Sequence, residues 1–251
     1  MANNGPVHPH RHWQYVWIPL IGAAVWFGML WAMLIVWLAQ GRPRYVSQEG
    51  SIAYISDIGA SGLKPLFIVG CAITALSFFL SLVVERFFRH TGRLVGHLRR
   101  RETVFGILAM LGSFIGGLGL LLLSIFDTKR YKSEHRAFLL VFIIGVALSA
   151  IFTILEYRWL SRDFAEARKL RYAYVAKAVI ALILICLAIA FGITLYHSNN
   201  AGAVLEWIIA FGFTFYLLTF FYDLRLSKGV ADGELTREKL REHPSLAQGR
   251  V

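Results

Sequence analysis

The chain is 251 residues long, 57% of them hydrophobic, with charged residues at 16% and a formal net charge of +11. That apolar fraction excludes an ordinary soluble domain, and with it nucleic acid, the partner such a charge would otherwise suggest. In a membrane chain, Lys and Arg mark cytosolic helix ends and anionic lipid surfaces instead.

Residues 1–16 read as a polar cytosolic tail. Its string HPHRH has a metal-binding composition, but Pro interrupts it and no Cys supports it, so no metal is assigned. Six apolar segments then approach the length that spans a bilayer, roughly 20 residues. The first, Trp17–Ala39, carries Trp26, Trp31 and Trp37 and is followed by no small-residue cleavage site, so it reads as a retained helix. Pro19 falls in its first turn, where a missing N–H costs nothing. The string YISDIGA, with Asp57, precedes the second segment, Pro65–Val84.

HTGRLVGHLRRRE (residues 90–102) is a basic connector. Its Arg93, Arg99, Arg100 and Arg101 are expected to sit on anionic inner-leaflet lipid, at about 1 kcal/mol per basic residue. The third segment, Thr103–Phe126, contains GSFIGGLG, in which Gly112 and Gly116 make a GxxxG face and Ser113 and Gly117 repeat the spacing. Such a face serves homodimerisation or packing inside one bundle. The second is favoured, because a six-helix chain has its own partners for it.

The fourth segment, Ala137–Leu155, follows Asp127, Lys129, Arg130, Lys132, His135 and Arg136. The fifth is Ala173–Leu195, and the sixth is Val204–Leu224, with Glu206 in its first turn. Residues 225–251 read as a solvated, charged cytosolic tail. Cys71 and Cys186 both lie in apolar segments, which argues against a disulfide framework. The expected fold is an all-α integral membrane protein, a bundle of six transmembrane helices over residues 17–224.

With the N-terminus in the cytosol, nineteen of the 26 Lys and Arg fall on cytosolic parts. The excess supports both termini inside. At the inner ends of the even segments, Glu85, Glu156 and Asp223 lie just before Arg86, Arg158 and Arg225. A carboxylate at a helix C-terminus opposes the macrodipole. Interhelical ion pairs, with Lys177 as one cation, or snorkelling into the headgroups would compensate it.

Asp57, Asp127, His135 and Glu206 fall near the outer interface. Asp127 ends a helix, where it needs a cation, and His135, Lys129 or Arg130 could supply the pairing. These residues cap helices and lock the outer loops, or form a polar site for lipid headgroups, or, as three carboxylates and a His, serve catalysis or hold a cation. In a headgroup site, Lys129, Arg130, Lys132 and Arg136 would donate to phosphate. No nucleophile elbow, P-loop, HExxH or paired-His pattern occurs, so no catalytic residue and no cofactor is assigned. No charge lies near a segment midpoint, which argues against a transporter.

YISDIGA followed by Pro65, LSIFD followed by His135, and EW in the last segment together resemble the Frag/DRAM/Sfk family of six-helix membrane proteins. The resemblance runs from about Trp17 to Leu224. It implies a six-helix bundle with both termini cytosolic. It also implies a non-enzymatic regulator that organises plasma-membrane phosphoinositide metabolism, with membrane lipids and a cytosolic lipid-kinase complex as partners. Other branches of the family imply lumenal remodelling of glycosylphosphatidylinositol (GPI) lipid, or autophagy modulation on a vacuolar or lysosomal membrane.

Overall fold

The computed structural model describes residues 13–95, 99–163, 168–228, 230–236 and 238–239. The HPHRH string, part of the basic connector and most of the last fifteen residues lie outside that set. A short 3-10 turn, Trp13–Val16, leads into α1 (Trp17–Ala39). Then follow α2 (Ile55–Gly59), α3 (Lys64–His90), α4 (Arg100–Ile125), α5 (Lys132–Asp163), α6 (Arg168–His197) and α7 (Asn199–Arg225). Among the described residues there is no strand. All six long helices have the length and apolarity to cross a membrane.

The helices outrun the apolar segments. α3 continues from Val84 to His90, and α5 runs from Lys132 to Asp163. Apolarity tracks the hydrocarbon core, whereas the backbone ladder carries on into the interface, where polar side chains are at home. The sequence reading also passed over α2. Five residues give no periodic signal, and this helix is started by a side chain: Asp57 accepts the Tyr54 N–H at 3.1 Å.

The long helices close a ring in the order α1, α3, α4, α5, α6, α7 and back to α1. The α4–α5 seam is the tightest and α5–α6 the loosest between sequential long helices. Glycine explains the tight seam. A Cβ at Gly112 would lie 2.7 Å from the Ser149 backbone nitrogen, and one at Gly116 would lie 2.9 Å from that of Val146. The GxxxG face is therefore spent inside the chain, where it lets two helix backbones touch.

Trp26, Phe78, Phe213, Tyr216 and Phe220 fill the middle of the ring, with edge-on contacts such as Phe78 to Phe213 at 5.7 Å. The Trp26 indole donates to the Ala210 carbonyl at 2.7 Å, which removes the cost of burying its N–H. Each long helix also exposes large apolar residues: Ile21, Leu76, Leu111, Leu140, Leu182 and Phe215. A lipid solvent calls for such a surface.

Val16, Phe88, Leu94 and Leu224 pack together, so the first and last spans share one end of the bundle with the 91–95 connector. We call this the terminal end; the loops at 40–63 and 126–131 make the loop end. The start of the last polar segment departs from the expected solvated tail. Gly233 donates to the Thr91 carbonyl at 2.9 Å, and Leu235 donates to that of Gly92 at 2.8 Å. Val230 and Leu235 are buried beside Val95 and Tyr157. Two apolar anchors suffice to dock a segment whose average composition is polar.

Candidate functional site

At the loop end, each carboxylate predicted from the sequence holds backbone. Asp57 caps α2 and also accepts the Ser47 hydroxyl at 2.5 Å. Thr128 extends that link, donating towards Ser47 at 3.2 Å and towards the Ser56 carbonyl at 3.3 Å. Glu206 of α7 accepts the Ile55 N–H at 2.6 Å. Trp207 beside it donates to the Ala53 carbonyl at 3.0 Å, and Asn200 accepts the Ser51 N–H at 2.7 Å. The first turns of α7 are thereby clamped to the 40–63 loop.

Asp127 finds a cation other than the ones expected. Its partner is Lys64, the first residue of α3, at 2.5 Å. Lys129 and Arg130 contribute their backbone N–H groups instead, at 3.1 and 2.9 Å. His135 does not bond to Asp127. Its Nδ1 lies 2.8 Å from the Leu123 carbonyl and 2.9 Å from that of Phe126. Carbonyls only accept, so Nδ1 carries the hydrogen, and the ring caps the end of α4.

Asp57, Asp127, His135 and Glu206 are thus brought to one end. Two of the expected basic residues face the same space. Lys132 pairs with Glu49, and Arg136 lies 3.5 Å from that carboxylate. Asp57, Glu206, His135, Lys132 and Arg136 line one polar chamber of about 50 Å³, together with Tyr54. The Tyr54 hydroxyl is buried with no hydrogen-bond partner among the described residues. Lys129 and Arg130 do not line the chamber.

Charges at this end are tuned unequally. Burial pushes the Asp57 carboxyl above its ordinary value, more than the Ser47 and Tyr54 hydrogen bonds pull it down. Burial acts the same way on Asp127, but Lys64 and two N–H donors overcome it and leave that carboxyl below the usual range. Glu49 is held low by its hydrogen bond from Lys132. Burial drives the Tyr54 phenol up to about 12, and nearby Glu206 adds to the shift.

The terminal end is built differently. Arg89 reaches Glu85 at 2.8 Å and Glu156 at 3.6 Å, while Tyr157 donates to Glu85 at 2.8 Å. Lys177 pairs with Asp223, and its ammonium lies 3.8 Å from the Phe220 ring centroid. The interhelical pairing suggested for Lys177 is present. Arg89 escaped the sequence reading, although its i, i+4 spacing from Glu85 was a signal.

The connector arginines have partners too. Arg93 pairs with Asp232, Arg101 stacks 3.5 Å above the Trp159 ring, and Arg99 donates its N–H to Glu102 at 3.3 Å. Arg99 and Arg100 are exposed. Among the described residues, no group of three or more His, Cys, Asp or Glu is placed to hold a metal ion.

Six apolar spans closed into a ring, with the charged side chains of the described residues gathered towards its two ends, define a multi-pass helical integral membrane protein. The chain belongs to the Frag1/DRAM/Sfk1/Cwh43P family: the model of that family's N-terminal domain matches residues 14–227.

The chain is similar to protein sfk1 of Schizosaccharomyces pombe, 30% identical over 216 residues, which cover 85% of this chain and 65% of that protein. It is also similar to protein SFK1 of Saccharomyces cerevisiae, 33% identical over 191 residues, covering 63% of this chain and 53% of that one. DNA damage-regulated autophagy modulator protein 1 of Homo sapiens is 28% identical over 136 residues, covering 49% of this chain and 56% of the human protein. The match thus spans between about half and two thirds of each relative's length. No solved structure matches the chain.

Proposed function

We propose that this protein is a non-enzymatic organiser of membrane lipid, acting on phosphoinositides at the plasma membrane with both termini in the cytosol. The observation that carries the reading is identity of 30% and 33% to the two yeast Sfk1 proteins. The charge distribution supports it. Exposed Arg99 and Arg100 stand at the terminal end, the end that the Lys and Arg excess assigns to the cytosol. There they suit anionic inner-leaflet lipid or a cytosolic lipid-kinase complex. On deletion of the gene, plasma-membrane phosphatidylinositol 4-phosphate is expected to fall, with tagged protein found at that membrane. A normal pool, with the protein confined to a degradative compartment, would favour an autophagy modulator instead.

The loop-end chamber favours a second reading, in which lipid is handled on the outer or lumenal face. Altered lipid moieties on GPI-anchored proteins after deletion would support it. Unaltered moieties would count against it.

A further inference from the structure

Beside the polar chamber lies a second, apolar cavity of about 110 Å³. It sits along the loose α5–α6 seam. Small side chains open it, namely Ala147 and Ala150 of α5 and Ala181 and Ala188 of α6. Three residues, Leu139, Phe191 and Glu206, line both spaces. The polar chamber and the apolar cavity are therefore neighbours through a shared wall, with the Glu206 carboxyl at the junction.

Interiors pack as densely as organic crystals, and a void of this size is destabilising when empty. An apolar void of comparable size stays dry and accepts hydrocarbon. This cavity is only partly enclosed and belongs to a helix ring bathed in lipid.

The chamber has two kinds of polar group. Lys132 and Arg136 lie one helical turn apart on α5, and among the described residues their one acidic partner is Glu49, itself exposed. Exposed pairs of this kind are weak, so the two cations can turn to a phosphate. Glu206 is the opposite case. Among the described residues its single bond is from the Ile55 N–H and no cation pairs with it, so it has capacity left to accept. The Tyr54 hydroxyl is a buried donor without a partner among the described residues.

We infer that chamber and cavity together bind one phospholipid whose headgroup carries O–H or N–H donors besides its phosphate. The phosphate sits on Lys132, Arg136 and the Tyr54 hydroxyl. The headgroup donors meet Glu206, and part of one acyl chain fills the α5–α6 cavity. Ethanolamine, serine, glycerol and inositol headgroups satisfy this chemistry; choline, a quaternary ammonium with no donor, does not. This deepens the lipid reading above and rests on it for the class of ligand.

Native mass spectrometry of the purified full chain tests the site with a panel of dioleoyl lipids differing only in headgroup. Phosphatidylethanolamine, phosphatidylglycerol and phosphatidylinositol are expected to be retained at least tenfold better than phosphatidylcholine. Glu206→Gln, which keeps the acceptor for the Ile55 N–H, should erase most of that discrimination. The pair Lys132→Ala and Arg136→Ala should weaken every lipid. Equal retention of phosphatidylcholine by the unaltered protein overturns the proposal.

A second measurement needs no variant. Phosphatidylethanolamine with a diazirine on its acyl chain should crosslink to the cavity wall around Ala147 and Ile185. Crosslinks confined to lipid-facing positions such as Leu140 and Leu182 overturn the acyl-chain site. Both measurements use purified protein. Their failure is thus separable from a failure of the cellular phosphoinositide test.

Discussion

At the terminal end, Arg89, Glu85, Glu156, Lys177 and Asp223 are nearly sealed from solvent and are set against one another on four helices. At the loop end, Asp57 and Glu206 spend their hydrogen bonds on backbone N–H groups and on Ser47, while Asp127 and the exposed Glu49 have close cations in Lys64 and Lys132. The same residue types thus do two jobs. In the first region opposite charges neutralise each other inside the bundle. In the second, carboxylates order a loop and leave side chains facing a chamber. A charge partnered by a buried opposite charge is unavailable to a ligand, whereas a carboxylate held by one backbone N–H still has lone pairs to offer.

The sharpest way to break this contrast is Lys177→Ala. It strands Asp223 as a buried charge and is expected to cost about 3–5 kcal/mol, read as a fall in the thermal unfolding midpoint of the purified protein. Lys177→Met combined with Asp223→Leu should recover most of that loss, because apolar packing replaces a buried pair well. If Lys177→Ala costs no more than a loop-end substitution, the two ends do not differ as described.

Asp127→Ala should come next, at about 1–3 kcal/mol, since it leaves two backbone N–H groups and Lys64 without their acceptor. A double-mutant cycle with Lys64→Ala should show coupling of at least about 0.5 kcal/mol. His135→Ala, which uncaps the same end of α4, should also combine non-additively with Asp127→Ala. Simple additivity in both cycles would show that the loop end is not one unit.

Opposite pH signatures should follow from the two aspartates. Asp127 has a lowered pKa in the folded protein, so its contribution is present above the unfolded value and is lost as pH falls through the folded one. Asp57 has a raised pKa, so its contribution is present below the unfolded value and is lost as pH rises through the folded one. Asp127→Asn should flatten the acid limb of a stability–pH curve. Asp57→Asn should flatten the decline between the ordinary aspartate value and its raised one. The smallest effect belongs to Glu49→Ala, below about 1 kcal/mol and fading in high salt.

Much of the fold was legible because bilayer solvent writes itself into composition. Six apolar runs, and the need to compensate Asp223 inside one of them, are one-dimensional facts. The GxxxG face was legible as a close approach, and only the partner helix had to be found. The sites where non-sequential helices meet were harder. Lys64 finds Asp127 because the start of α3 lies beside the end of α4, and no local spacing announces that. α2 is too short for periodicity, and the α5–α6 cavity exists only once six helices have closed a ring. The four loop-end residues were found by their shared side of the membrane. Their backbone partners came from loop geometry that a sequence does not print.

The docking of residues 230–235 against the 91–95 connector has a further consequence. Leu235 acts as a mooring point, so whatever extends past residue 236 starts from a fixed position at the terminal end. A segment tethered there meets the connector at an effective concentration on the order of millimolar. Even a weak attraction between the two would then be felt as a standing intramolecular contact. Loosening the mooring, for example with Leu235→Ser, would dilute that encounter while disturbing the ring only where Leu235 packs on Tyr157 and Leu160 of α5.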